Sequence, residues 1–164
     1  LFADWETGRH DAVVARRILR PGQPPGAGRV LFPDDLVWAA SPDLVRRPGE
    51  PVPLAVIARP CRVHDTALDA LERADLPWTM AFVSRDLVAV QAAIEAGIGV
   101  GCIGRSAVPN GALILGRADG LPDLPESEIV FHADARDRSL RPTLDRIAEA
   151  FRPAFADVAA PRRA

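Results

Sequence analysis

Short apolar runs separated by turn-forming residues dominate the pattern of hydrophobic and polar positions along the chain. Runs such as LVWAA at 36–40 and WTMAFV at 78–83 are typical of buried β-strands. Proline and glycine, as in RPGQPPGAG at 20–28, interrupt the pattern and exclude regular structure there. The pattern predicts strands at 11–15, 36–40, 54–58, 78–83, 98–103, 113–115 and 128–132.

Other segments repeat apolar residues every three to four positions, which is typical of amphipathic helices. Helices are predicted at 1–7, 64–74, 84–96 and 139–156. Ser84 is expected to cap the third helix, with Asp86 in its first turn. Pro142 suits the first turn of the last helix. The expected buried stripe of that helix is Leu144, Ile147, Ala148 and Phe151. Because strands alternate with helices, the sequence predicts a mostly parallel α/β fold.

The overall charge of the chain narrows the range of its partners. Its 164 residues suffice for one ordinary domain or two small lobes, and the net charge is −2. A protein that binds nucleic acid through its phosphates is normally basic, so we expect no direct DNA contact from this chain. No apolar run approaches the roughly 18 to 20 residues that cross a bilayer, so we expect no membrane partner.

Two cysteines, Cys61 and Cys102, are expected to stay reduced in a cytoplasmic protein.

The stretch GVGCIG at 99–104 matches the G-x-G-x-x-G pattern of dinucleotide-binding proteins. That pattern binds a pyrophosphate where it follows a strand and opens a helix, because the helix N-terminus then faces the phosphates. Here the order is reversed: a predicted helix ends at Gly97, and a strand follows. We therefore expect no nucleotide cofactor, and we expect the glycines to permit a tight turn and a close backbone approach.

The opposite end of the same helix is better suited to a ligand. The strand at 78–83 delivers the chain to Ser84 at the predicted helix N-terminus. In an open parallel sheet, ligands bind beyond the carboxyl ends of the strands, where helix N–H groups and hydroxyl groups favour an anion. Ser84 is therefore either a ligand contact, a helix cap or both.

Residue patterns typical of catalysis or metal binding are not found in the sequence. His10, His64 and His132 are far apart and lack a second metal-ligating residue at the usual spacing. The FVSRD segment around Ser84 has no glycine on either side of the serine, unlike the G-x-S-x-G motif of α/β hydrolases. We expect no catalytic residue, no metal site and no cofactor.

The order of these segments resembles the effector-binding domain of LysR-type transcription regulators. WETGRHDAVVARR at 5–17 is similar to that family's short helix, glycine, aspartate and apolar strand, and DLVWAASPD at 35–43 to its first crossover strand. The segment at 53–109 is similar to its second lobe, including the strand-serine-helix unit and the AGIGV turn. The segment at 121–151 matches its closing strand and C-terminal helix.

The resemblance implies an α/β fold of two Rossmann-like lobes joined by two crossover strands, like type 2 periplasmic binding proteins. Lobe one would comprise residues 1–40 and 104–164, and lobe two residues 41–103. The family's first strand-helix-strand would precede Leu1 and is missing from lobe one. The resemblance places the effector cleft at Ala40, Ser41, Cys61, Arg62, Val83, Ser84, Cys102 and Ile103.

Two of these residues have an alternative interpretation. Arg62 either pairs with a carboxylate of the effector or is a solvated surface arginine. Cys102 either contacts the ligand or is a small buried apolar residue of its strand.

The resemblance further implies the function and the partners of the chain. It implies a ligand-sensing domain that binds a small-molecule effector, such as a carboxylate, and alters the arrangement of a homodimer or tetramer on DNA. The DNA would be held by a winged helix-turn-helix that is absent from these residues. A periplasmic-type solute-binding protein shares the expected fold and is the alternative, and a small α/β hydrolase centred on Ser84 is a third hypothesis.

Overall fold

The computed structural model of the chain describes residues 5–20, 22, 26–47, 49–133 and 138–154. These residues form eight strands: β1 (Ala12–Ile18), β2 (Arg29–Pro33), β3 (Leu36–Ala40), β4 (Val52–Ile57), β5 (Trp78–Ser84), β6 (Gly101–Gly104), β7 (Leu113–Leu115) and β8 (Ser127–Ala133). The helices are α1 (Arg62–Arg73), α2 (Leu87–Glu95) and α3 (Arg141–Ala154). Short 3-10 turns lie at Arg105–Ala107, Arg117–Asp119 and Arg138–Leu140.

The chain forms two compact units, one discontinuous and one continuous. Unit 1 comprises Leu1–Asp35 and Pro125–Ala164, and unit 2 comprises Leu36–Leu124. The predicted lobes, residues 1–40 with 104–164 and residues 41–103, stay a prediction. β3, β6 and β7 pair with one another in a single sheet, which belongs to unit 2.

The expectation of mostly parallel pairing is wrong. β4 and β5 pair in parallel, and a parallel bridge joins Leu54 to Val100. The pairs β1–β8, β2–β8, β3–β6 and β3–β7 are antiparallel. The helical crossovers that parallel pairing requires occur between β4 and β6, whereas the other sheets join strands from distant segments of the chain. β2, a five-residue strand that ends at Pro33, is not among the predicted strands.

Unit 1 contains the sheet β1-β8-β2, against which α3 packs. Ala148 is fully buried with Leu31, Phe32 and Phe131, while Leu144 and Phe151 pack at the edge of this cluster. Ile147 is 42% exposed, so its expected place in the buried stripe is wrong. The stripe follows positions 144, 148 and 151, which leaves position 147 beside it.

The described residues include only part of the predicted first helix and of the predicted last helix. Pro142 lies in the first turn of α3, as expected, and the predicted positions 155 and 156 lie outside the described residues. The first helix was predicted at 1–7, of which residues 1–4 lie outside the described residues. Trp5 and Glu6 are helical. Gly8 follows with a φ of 76° and donates its N–H to the Trp5 carbonyl at 2.8 Å, so the predicted helix end is confirmed.

In unit 2 the helix α2 packs over β3, β4 and β6. Its buried face places Val90, Ala93 and Ile94 against Ala39, Ala55 and Ile103. The helix ends as the sequence predicts, with Gly97 at a φ of 68°. The N–H of Gly97 bonds the Ile94 carbonyl at 3.0 Å, and the N–H of Ile98 bonds the Ala93 carbonyl at 3.0 Å. These two bonds form a Schellman motif, which satisfies the last carbonyls of the helix.

The glycines at 99 and 101 are explained by close packing in unit 2. A Cβ on Gly99 would lie 2.7 Å from the Pro53 carbonyl oxygen and 3.1 Å from the Ala55 nitrogen. A Cβ on Gly101 would lie 2.3 Å from Cδ1 of Ile94, which is itself fully buried. The glycines of the G-x-G-x-x-G match therefore allow the chain to pass close to β4 and α2. They follow the end of a helix and do not begin one.

Gly99→Ala should destabilise unit 2, because β4 backbone atoms cannot yield to the added methyl group. We expect the free energy of unfolding to fall by about 1–3 kcal/mol, measured by urea denaturation followed by circular dichroism. Gly116→Ala is the matched control, since no atom lies within 4 Å of its Cβ position and its φ is −157°. Equal stability of the two variants would contradict the packing explanation.

Candidate functional site

The carboxyl ends of β4 and β5 lie side by side in unit 2. The parallel register pairs Ile57 with Ser84, and the N–H of Ala58 donates to the Ser84 carbonyl oxygen at 2.7 Å. Each strand is followed within a few residues by a helix, α1 after β4 and α2 after β5. Both helix N-termini therefore lie at the carboxyl ends of β4 and β5. This is the end of a parallel sheet where α/β proteins bind anionic groups.

The N-terminus of α1 has no side-chain cap. Cys61 is the N-cap residue in an extended conformation, with φ −146° and ψ 117°, and its side chain makes no capping hydrogen bond. The first-turn carboxylate, Asp65, forms an ion pair with Arg59 at 2.7 Å. Because the first N–H groups of α1 lack a capping acceptor, this helix end keeps its positive partial charge available to a ligand.

A buried histidine fixes this helix end to the sheet. His64 is 7% exposed, and its Nδ1 lies 2.7 Å from the Ile57 carbonyl oxygen. That contact joins the first turn of α1 to the last residue of β4. His64 therefore has a structural role.

The N-terminus of α2 differs, because its own carboxylate caps it. Asp86 is the N-cap residue, and its Oδ1 accepts the Val88 N–H at 2.9 Å. Ser84 lies two residues earlier, and its Oγ accepts the Asp86 N–H at 3.1 Å. The expectation that Ser84 caps the helix and that Asp86 lies in its first turn is therefore wrong. The SRD sequence contains two adequate N-cap residue types two positions apart, so residue type alone did not distinguish them.

The charge of the site comes from arginine side chains. Arg62, the first residue of α1, is exposed and makes no ion pair with any residue that the structure describes. Arg59 is occupied by Asp65, and Arg85 is exposed beside Ser84. Within the described part of the chain, the α1 end thus combines a guanidinium that makes no ion pair with N–H groups that the Cys61 side chain does not cap. At the α2 end, Asp86 caps the helix and Arg85 lies next to it.

The structure places six of the eight predicted site residues at two ends of unit 2. Cys61, Arg62, Val83 and Ser84 meet at the carboxyl ends of β4 and β5. β6 runs parallel to β4, and β3 is antiparallel to β6, so Ala40 and Ser41 follow β3 to the opposite end. Ser41 lies beside the end of α2 there, with its Cβ 3.8 Å from the Cβ position of Gly97. These two residues therefore do not join Ser84.

Three of the predicted residues, Val83, Cys102 and Ile103, differ in their access to solvent. Ile103 is 3% exposed and belongs to the core under α2. Cys102 is also buried and is paired with Trp38 in the sheet, which agrees with its interpretation as a small apolar residue. Val83 is 48% exposed on the edge strand. Ligand contact by any of the eight residues stays a prediction.

Histidine, cysteine and carboxylate side chains do not gather into a metal-binding group in the described part of the chain. His10 is exposed, and His132 is half-buried in unit 1 with its ring centroid 5.2 Å from the Trp5 ring. Burial, assisted by the positive charge of Arg17, lowers the pKa of His132. Within the same residues, no helix is both long and apolar enough to cross a membrane.

The described residues form an α/β fold with one discontinuous and one continuous unit, which agrees with the type 2 periplasmic-binding-protein-like class. The chain belongs to a family of that class, because the model of the LysR substrate binding domain matches residues 2–155.

Two curated regulators are similar to part of the chain. The HTH-type transcriptional regulator PecT of Dickeya dadantii (strain 3937) is 36% identical over 91 residues, which are 56% of this chain and 29% of PecT. The HTH-type transcriptional regulator DgdR of Burkholderia cepacia is 30% identical over 107 residues, or 65% of this chain and 36% of DgdR. The matched region spans about a third of the length of either regulator.

A solved structure agrees with the same fold. The bromide-bound regulatory domain of HypT from Salmonella typhimurium superposes with a TM-score of 0.69 at 17% identity. The alignment covers 93% of this chain and 77% of the HypT domain.

Proposed function

We propose that the chain is the ligand-sensing domain of a cytoplasmic LysR-type transcription regulator and that its effector is a small anion such as a carboxylate. The observation that carries the choice of an anion is the uncapped N-terminus of α1, with Arg62 free of any ion pair among the described residues. Backbone N–H groups and a guanidinium donate hydrogen bonds without accepting any, so they select an acceptor with negative charge.

The proposed contacts involve three groups at the carboxyl ends of β4 and β5. Arg62 would pair with the carboxylate, the first N–H groups of α1 would bind the same oxygens, and the Ser84 hydroxyl would donate a third hydrogen bond. The Ser84 Oγ accepts from Asp86, which leaves its proton available to the ligand. The bromide bound by the HypT regulatory domain is also an anion, which supports this ligand class.

The whole protein would act as a regulator that binds DNA. We propose that a winged helix-turn-helix outside these residues contacts the operator and that the protein works as a homodimer or tetramer. Both curated relatives are HTH-type transcriptional regulators, which favours this assignment over a solute-binding protein. The domain would bind its ligand without transforming it, so no catalytic residue is assigned.

A thermal-shift screen tests the proposal directly. We expect at least one compound in a panel of small carboxylates, aromatic acids and amino acids to stabilise the protein, by about 2.7 kcal/mol at a hundredfold excess over its dissociation constant. The amides of the same acids should not stabilise it. If no acid stabilises the protein, or if the amides do so equally, the anion-sensing proposal fails.

Arg62→Ala should weaken the binding of an acid found in that screen by about tenfold or more, because a charge-assisted hydrogen bond is lost. Ser84→Ala should weaken it less. Isothermal titration calorimetry measures both dissociation constants. Arg73→Ala is the matched control, since it removes the same charge from the last turn of the same helix. An Arg62→Ala affinity no lower than that of Arg73→Ala would exclude Arg62 as a contact.

A further inference from the structure

A half-buried histidine lies on the face of the unit 1 sheet that is opposite α3. His132 is near the end of β8, and Val13 of β1 is paired with it. Because successive side chains of a strand point to opposite faces, His132 shares a face with Val130, whereas Phe131 packs with Ala148 of α3. The imidazole therefore lies on the far side of the sheet from α3, where two short segments of unit 1 contact it.

The first of these segments carries Trp5. The centroid of the Trp5 ring lies 5.2 Å from that of the His132 ring, and the two ring planes are inclined by 54°. A tilted pair at this separation is a favourable arrangement of two aromatic rings. Gly8 closes the same segment with its N–H on the Trp5 carbonyl oxygen at 2.8 Å. The contact with His132 therefore positions the helical turn that precedes β1.

The second segment consists of Gly26, Ala27 and Gly28 and precedes β2. A Cβ on Gly28 would lie 2.8 Å from Cε1 and 2.9 Å from Nδ1 of His132, so the edge of the imidazole lies directly against the glycine backbone. The Arg17 guanidinium donates to the carbonyl oxygens of Gly26 at 2.6 Å and Ala27 at 3.0 Å. The segment is therefore held on the sheet by an imidazole and a guanidinium.

The charges around the ring come from both of the neighbouring strands. Burial, assisted by the positive charge of Arg17, lowers the pKa of His132. Glu128 is on the same face of β8 and pairs with Arg17 at 2.6 Å. Arg29 of β2 is paired with Phe131 in the register and forms an ion pair with Glu149 of α3, so it lies on the other face. The ionisable residues between Trp5 and β1 are all exposed; they are Glu6, Arg9, His10 and Asp11.

We propose that His132 is a pH-dependent switch in unit 1, whose neutral imidazole keeps Trp5 and Gly28 on the sheet and whose protonation releases both. The neutral ring packs against the indole and against a glycine backbone without a net charge. The protonated ring carries a second positive charge close to Arg17, and hydration of that charge requires the covering segments to move away. The switch is confined to unit 1 and does not depend on the effector proposed for unit 2.

The direction of the pH effect follows from the two protonation states. Because the pKa of His132 is lowered in the folded chain, the folded chain binds this proton less readily than the unfolded chain does. The contribution of the neutral ring to stability is therefore complete above the pKa of about 6.5 that histidine has in an unfolded chain. It is lost as the pH falls through the lowered pKa of the folded state.

An NMR titration of the full chain from about pH 8 to about pH 5 tests the proposal. We expect the His132 ring signals, the Trp5 indole N–H and the Gly28 amide to titrate with one common midpoint. Across that midpoint, the order parameters of the Trp5 and Gly28 amides should fall from about 0.85 to below about 0.6. Val13 and Val130, in the interior of the same sheet, should keep theirs.

Two variants separate the titration of His132 from a general effect of acid. His132→Phe retains an aromatic ring that cannot be protonated, so Trp5 and Gly28 should stay ordered throughout the titration. His10→Gln is the matched control, since it removes an exposed histidine from the same unit and should leave the transition unchanged. If His132→Phe does not fold, the common midpoint in the unsubstituted chain still decides the question.

Three results would overturn the proposal. The first is a His132 midpoint above the ordinary histidine range, which would show that the Trp5 ring stabilises the imidazolium by a cation–π interaction. The second is a titration of His132 that leaves either Trp5 or Gly28 as ordered as before. The third is the same acid transition in His132→Phe as in the unsubstituted chain.

Discussion

Asp34→Ala should lower the free energy of unfolding of unit 1 by about 3–5 kcal/mol. The substitution removes the carboxylate partner of Arg16 and leaves a guanidinium uncompensated in a site where only a small part of it reaches water. Urea denaturation followed by circular dichroism measures the loss. Because the native stability of a domain is typically about 5–15 kcal/mol, this change alone is a large fraction of it.

Asp35→Ala serves as the control for this prediction. Asp35 is the adjacent carboxylate, but it is exposed and accepts only a long hydrogen bond, 3.4 Å from the Ser127 nitrogen. Its removal should cost less than about 1 kcal/mol. If the two alanine variants are equally stable, the buried ion pair does not contribute as the structure indicates.

Trp38→Ala should destabilise unit 2 by about 3–5 kcal/mol, since it removes the largest fully buried side chain among the described residues and leaves a cavity. It also leaves the Pro122 carbonyl oxygen without its indole donor. The same denaturation measurement applies. Trp38→Phe should cost less, because it retains an aromatic ring and loses only the hydrogen bond and part of the volume.

Trp78→Ala is the corresponding control on the edge strand. Trp78 is half-buried at the start of β5, so its truncation creates no enclosed cavity. We expect less than half of the Trp38→Ala effect. A comparable loss for the two tryptophans would show that burial in the sheet β6-β3-β7 does not account for the stability of unit 2.

Local sequence patterns predicted most of the elements, but not how strands pair. The runs LVWAA and WTMAFV gave β3 and β5 because burial and side-chain type are local properties. β2 was missed since RVLFP is short and contains a proline. The antiparallel pairing of β3 with β6 depends on residues more than sixty positions apart, which no periodicity records.

The same limit explains which part of the candidate site was predicted. Ser84 ends one parallel strand of a βαβα segment and Arg62 lies shortly after the other, so the rule about strand carboxyl ends places them together. Ser41 also follows a strand, but that strand runs the other way, and its direction depends on the non-local pairing. The helix caps required geometry as well, because either Ser84 or Asp86 is a suitable N-cap residue by type.

The Asp86 cap has a consequence for ligand selectivity. At the start of α2 the Asp86 carboxylate already accepts a first-turn N–H, so an external acid would have to compete with Asp86 for that N–H group. An acid that bound there would have to displace a cap whose loss costs about 1 kcal/mol. For two otherwise equal helix ends, that cost corresponds to a dissociation constant roughly fivefold larger at α2 than at α1. For the proposed anionic effector, the position of one aspartate would thus favour the α1 end over the α2 end without contacting the ligand.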